Sequence, residues 1–164
     1  MKHVIVMPMI LGIAMVSGTA VADESAFEVI VEHYEAIRQV LIEDSTDGVA
    51  GHATDIADTA AALARDFDPA AAQIDAEDAD SLLGWLPEIE ARARSVANAD
   101  GLEPTREALA ELTKPLVRWH ELVKGGRPVV AYCPMVKKAW FQPDEAIGNP
   151  YAPYMLRCGE VVQR

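Results

Sequence analysis

The chain has 164 residues, a formal charge of −12 and 51% hydrophobic residues. That is one domain's worth of polypeptide, long enough to bury a real core. So negative a body repels nucleic acid and anionic lipid, which excludes both as expected partners.

The N-terminus reads as an export signal. Lys2 and His3 form a polar head, residues 4–16 are an apolar run, and Ala20-Val21-Ala22 follows as a small-x-small cleavage site. The apolar run is shorter than the ~20 residues that a permanent spanning helix needs. Cleavage after Ala22 leaves residues 23–164 as the mature domain, and no later stretch is apolar enough to enter a membrane. The expected location is the periplasm, an oxidising space in which two cysteines can pair.

Four amphipathic helices are expected next. Phe27, Ile30, Tyr34, Ile37 and Leu41 recur at three- and four-residue spacing, as do Val49, His52, Ile56, Ala60 and Leu63. Leu82, Leu86, Ile89, Ala93 and Val96 mark a third helix, which Pro87 starts or kinks. Pro104 suits the start of a fourth, striped by Leu109, Leu112, Leu116, Trp119 and Val123, and Pro115 should kink it. Short connections favour antiparallel neighbours. The expected fold is therefore all-α, an up-down-up-down four-helix bundle.

Residues 125–164 read as an irregular C-terminal segment packed on that bundle. Apart from a short extended piece at residues 128–132, Pro134, Pro143, Pro150 and Pro153 deny it long regular structure. Five of the ten aromatics lie there, too many for a disordered tail. The segment is also basic: residues 23–123 carry 23 acidic and 7 basic residues, against 3 and 6 in residues 124–164.

Every sulfur of the mature chain falls in this segment: Cys133, Met135, Met155 and Cys158. Two chemistries fit. Thiolate and thioether together suit a soft monovalent ion, Cu(I) or Ag(I). Cys133 and Met135 share one face of a strand, Met155 and Cys158 one face of a helical turn, so the pairs can converge. Alternatively Cys133 and Cys158 form a disulfide and the methionines fill space beside the aromatics. His52 reads as a core residue, and His33 and His120 as boundary residues. Neither a Cys-x-x-Cys nor a His-x-x-x-His spacing is present to suggest zinc. No nucleophile–base set or acid pair stands out, so no enzyme is expected.

The same segment carries a resemblance. Tyr132-Cys133-Pro134-Met135, Trp140-Phe141-Gln142, Ile147-Gly148-Asn149-Pro150-Tyr151 and Met155-Leu156-Arg157-Cys158-Gly159-Glu160-Val161 are similar to the signature of a domain-of-unknown-function family, number 3347. Tyr34, Arg106, Leu109, Leu112 and Thr113 also resemble its pattern. Two features depart from it: the short basic stretch after Met135, and Gly148 where a charged residue is common. The resemblance implies an exported helical domain, found alone or fused to periplasmic adaptors of heavy-metal efflux pumps. The reading it favours is a periplasmic soft-metal binder holding Cu(I) or Ag(I) through Cys133, Met135, Met155 and Cys158. Such a protein would buffer the ion or pass it to an efflux-pump component by ligand exchange. The other reading is a disulfide-stabilised module that docks another envelope protein without metal.

Overall fold

The computed structural model describes residues 24–164, so the expected signal peptide lies outside the described residues. Ser25 opens the first helix, α1 (Ala26–Ile42), with a capping box. Its hydroxyl accepts from the Glu28 amide at 3.1 Å, and the Glu28 carboxylate accepts from the Ser25 amide at 2.9 Å. Asp44 and Gly48, both at positive φ, turn the chain into α2 (Val49–Arg65). Residues 66–78 fold back over one end of the bundle. There the carbonyls of Ala71, Ala72 and Gln73 accept from the Ala26 amide, the Trp119 indole and the Lys124 amide. Helices α3 (Ala79–Ala97) and α4 (Leu102–Leu122) follow.

Both interior prolines are carried within continuous helices, Pro87 in α3 and Pro115 in α4. Pro104 lies in the first turn of α4, where the amide it lacks has no intrahelical acceptor. The apolar stripes are buried as spaced, with Ile30, Ile37, Leu86, Ile89, Leu112 and Leu116 fully inaccessible.

The all-α expectation is overturned. After α4 the chain forms a three-stranded antiparallel sheet: β1 (Val129–Cys133), β2 (Lys138–Gln142) and β3 (Glu160–Gln163), in the order β2-β1-β3. The fold is thus a mixed α+β domain. β1 pairs with β2 from Val129↔Gln142 to Cys133↔Lys138, and with β3 through Ala131↔Val161, next to a register shift at Val130. Pro134 and Pro143 stand immediately after β1 and β2. They end strands of five residues rather than forbidding a sheet, a distinction that counting prolines misses.

The sheet belongs to the same core as the helices. Consecutive helices pack along the chain, close backbone approach between α1 and α4 is sparse, and β2 packs on both. Phe141 of β2 lies edge-on to Tyr34 of α1 at 5.4 Å and beside His120 of α4 at 5.4 Å. Among the described residues no helix is long and apolar enough to cross a membrane.

Candidate functional site

The segment from β1 to β3 is a clasp, and most of its marked residues are consumed in building it. Cys133, at the end of β1, is fully buried and bonded to Cys158 across 25 residues, with their Cα atoms 5.6 Å apart. Asn149, also fully buried, ties the return loop at both ends. Its side-chain amide donates to the Cys158 carbonyl at 3.0 Å, and its oxygen accepts from the Tyr151 amide at 2.8 Å. Gln142 accepts from the Trp140 indole at 2.8 Å and donates to the Asp144 carbonyl at 2.6 Å. At Gly159 a Cβ would sit 2.6 Å from the Trp140 ring, so a glycine lets the chain cross that indole next to the disulfide.

Two buried arginines fasten the clasp to the bundle. Arg106 of α4 donates to the Pro150 carbonyl at 2.8 Å, to the Leu41 carbonyl at 2.9 Å and to Asp44 at 2.6 Å. Arg38 of α1 donates to the Gly148 carbonyl at 2.6 Å and pairs with Glu35. Gly148 leaves room for this tie: a Cβ there would stand 2.6 Å from the Arg38 guanidinium. Below them, the Tyr34 hydroxyl shares a 2.7 Å hydrogen bond with Thr113. Burial pushes the Tyr34 phenol up to about 12 and raises that of Tyr151 as well. Both therefore remain neutral hydrogen-bonding groups at physiological pH.

The four sulfurs are placed unequally. The cysteines are joined as a disulfide, so neither is a thiolate in this state. Met155 is half-buried in the turn before Cys158, and the Cys158 amide donates to its carbonyl at 2.8 Å. Met135 lies in the β1–β2 turn and is 70% exposed. The structure thus contains the cross-link that was one of the two readings of this pair, and it leaves Met135 in solvent.

The histidines depart from expectation in two ways. His120 is buried rather than at the boundary, with Nε2 2.8 Å from the Pro128 carbonyl. Its Nδ1 is buried without a hydrogen-bond partner among the described residues, and desolvation lowers its pKa. His52 is only half-buried and meets His33. The signal for that meeting is a histidine and an acid three residues apart on one helix (His52 and Asp55), facing a histidine on the preceding helix.

A groove of about 420 Å³ runs between α4 and the β1–β2 hairpin. Its floor is Ala110, Thr113, Val117, Tyr132 and Ala139, and its rim is Glu107, Glu111, Lys114, Lys137 and Lys138. Lys138 pairs with Glu107 at 2.5 Å and lies over the Tyr151 ring, and Lys114 pairs with Glu111. Lys137 is exposed, held at positive φ in the turn beside Met135, and makes no ion pair among the described residues. The large exposed apolar side chains of the described residues are Leu83 on α3 and four in the clasp: Met135, Tyr154, Leu156 and Val162.

No family model, no curated protein and no solved structure matches this chain.

Proposed function

We propose that this chain is an exported, disulfide-stabilised interaction module of the cell envelope. Its working surface is the groove between α4 and the β1–β2 hairpin, which receives a segment of another envelope protein. The observation that carries this reading is the hairpin itself. The disulfide anchors its turn end through Cys133, and the turn itself presents Met135 and Lys137, which has no ion-pair partner among the described residues, beside an apolar-floored groove. An apolar floor with a charged rim suits a partner segment that inserts one or two apolar side chains and offers a carboxylate to Lys137. The resemblance to domains fused to efflux-pump adaptors supports an adaptor as the first partner to test. Binding, rather than bond-making, is the activity.

The test is site-specific photo-crosslinking of the exported protein, with probes at Met135 and Lys137 and a control probe at Leu83. Adaptor crosslinks confined to the hairpin probes and abolished by Lys114→Glu are the expected result. Equal crosslinking at Leu83, or none at the hairpin, would sink the reading.

A second reading keeps the sulfur chemistry and rests on the placement of Met155 within one turn of Cys158, beside Cys133. In reduced protein, Cys133 and Cys158 would offer thiolates, and Met135 and Met155 thioethers, to Cu(I) or Ag(I). Anaerobic titration against a competing chelator decides it. Tight one-to-one binding by reduced but not oxidised protein supports a redox-gated soft-metal site. No competition in either state leaves the sulfurs structural.

A further inference from the structure

His33 on α1 and His52 on α2 face each other across the interhelical seam, with Nδ1 atoms 3.0 Å apart and ring centroids 5.3 Å apart. Asp55 is three residues after His52 and therefore on the same face of α2. Its carboxylate lies 3.8 Å from His33 Nε2. One ligand atom from each of the three residues lies within 4.8 Å of the other two. We propose that His33, His52 and Asp55 form a binding site for one divalent first-row cation, with zinc the best chemical match.

The geometry carries this further than a hydrogen-bonded histidine pair. Zinc–nitrogen bonds of about 2.0–2.1 Å at tetrahedral angles hold two ligand nitrogens roughly 3.3 Å apart. The observed 3.0 Å separation is therefore a few tenths of an ångström from the required bite. In the metal-free pair one Nδ1 must carry a hydrogen and donate to the other. A cation replaces that hydrogen and takes a lone pair from each ring, once the donor ring shifts its proton to Nε2. The Asp55 side chain is 57% exposed, so its carboxylate can swing onto the ion. His33 is 26% exposed, so the ion has an entry path without opening the core. The site adds one negative charge to two neutral imidazoles and leaves a coordination position for water. Nitrogen and oxygen donors select a borderline divalent ion, the opposite preference from the sulfur set in the clasp. The helical body around the site carries an excess of acidic residues, which raises the local concentration of any cation.

The experiment is calorimetric Zn²⁺ titration of the exported chain with its disulfide closed, so that no thiol competes, paired with Co²⁺ absorption as a report on coordination. One equivalent should bind, with a tetrahedral Co²⁺ spectrum. His33→Gln and His52→Gln should each weaken binding more than tenfold, and Asp55→Asn about tenfold, while His120→Gln leaves it unchanged. Thermal unfolding of each variant confirms that it is folded. Asp55 is surface-exposed, so its variant reports on ligation even where a histidine change disturbs packing. Absence of a saturable heat in the unsubstituted chain overturns the proposal. So does unchanged affinity in Asp55→Asn together with a folded His52→Gln. Neither outcome bears on the groove.

Discussion

The helical bundle and the C-terminal clasp bury their surfaces by different means. In the bundle, Ile30, Leu86, Leu116 and their neighbours recur every three or four residues, and each helix satisfies its own backbone. In the clasp, short strands leave many backbone groups to be met by particular side chains: Asn149, Gln142, Arg38 and Arg106. A disulfide adds a covalent tie to the apolar area that Trp140 and Phe141 bury there. The first region tolerates exchanges of similar volume. The second depends on individual atoms, because losing one partner strands a buried polar group.

That difference is most sharply broken at the cross-link. Closing a 25-residue loop stabilises the folded chain by about 3–4 kcal/mol in the chain-entropy model. Cys133→Ala/Cys158→Ala should lose that much in urea unfolding. Amide exchange should accelerate in β1, β2 and β3 while α2 and α3 keep their protection. Uniform acceleration across the molecule would mean that clasp and bundle unfold as one unit.

Arg106 comes next. It is 2% exposed and binds Pro150 in the clasp, Leu41 in α1 and Asp44 in the connection between α1 and α2. Arg106→Met keeps volume and removes the donors, and should cost about 2–3 kcal/mol by leaving two carbonyls unpaired in the interior. A loss below about 0.5 kcal/mol would show that water replaces the guanidinium. Gly148→Ala is a smaller change at the other tie. The new methyl meets the movable end of Arg38, whose hydrogen bond to the Gly148 carbonyl is lost for about 1 kcal/mol. In an Arg38→Met background the same substitution should be nearly neutral, so a double-mutant cycle isolates the contact.

The two regions were also unequally legible in the sequence. The four helices follow from period alone: every member of the four apolar stripes is buried except His52, which is half-buried. The sheet did not follow. β2 reads Lys-Ala-Trp-Phe-Gln, its last three residues are all buried, and so it lacks the alternation that marks a strand with one wet face. β3 pairs with β1 across about thirty residues, a distance no local pattern encodes. The sulfur cluster marks the clasp because cysteine and methionine are scarce in the mature chain. Whether those cysteines ligate or cross-link depends on the approach of two backbones. The meeting of His33 and His52 needed the register between α1 and α2, which spacing within either helix does not contain.

The smallest expected effect lies where the two regions join. His120 projects from α4 against Phe27 of α1 and Phe141 of β2. Burial is the main cause of its lowered pKa; the hydrogen bond to the Pro128 carbonyl opposes it, Arg127 lowers it further and Glu121 raises it. Because the folded-state value lies below the ordinary 6.5, the unfolded chain binds the proton first as pH falls. The stability linked to this group is therefore complete above about pH 6.5. It declines as pH drops through 6.5 toward the lower folded value, and changes no further below that value. Urea unfolding between pH 7.5 and 5, approximately above the carboxylate range, should show that decline in the unsubstituted chain. His120→Gln should flatten it. An equal slope in the variant would assign the decline to other groups and leave the joint between bundle and clasp insensitive to protons.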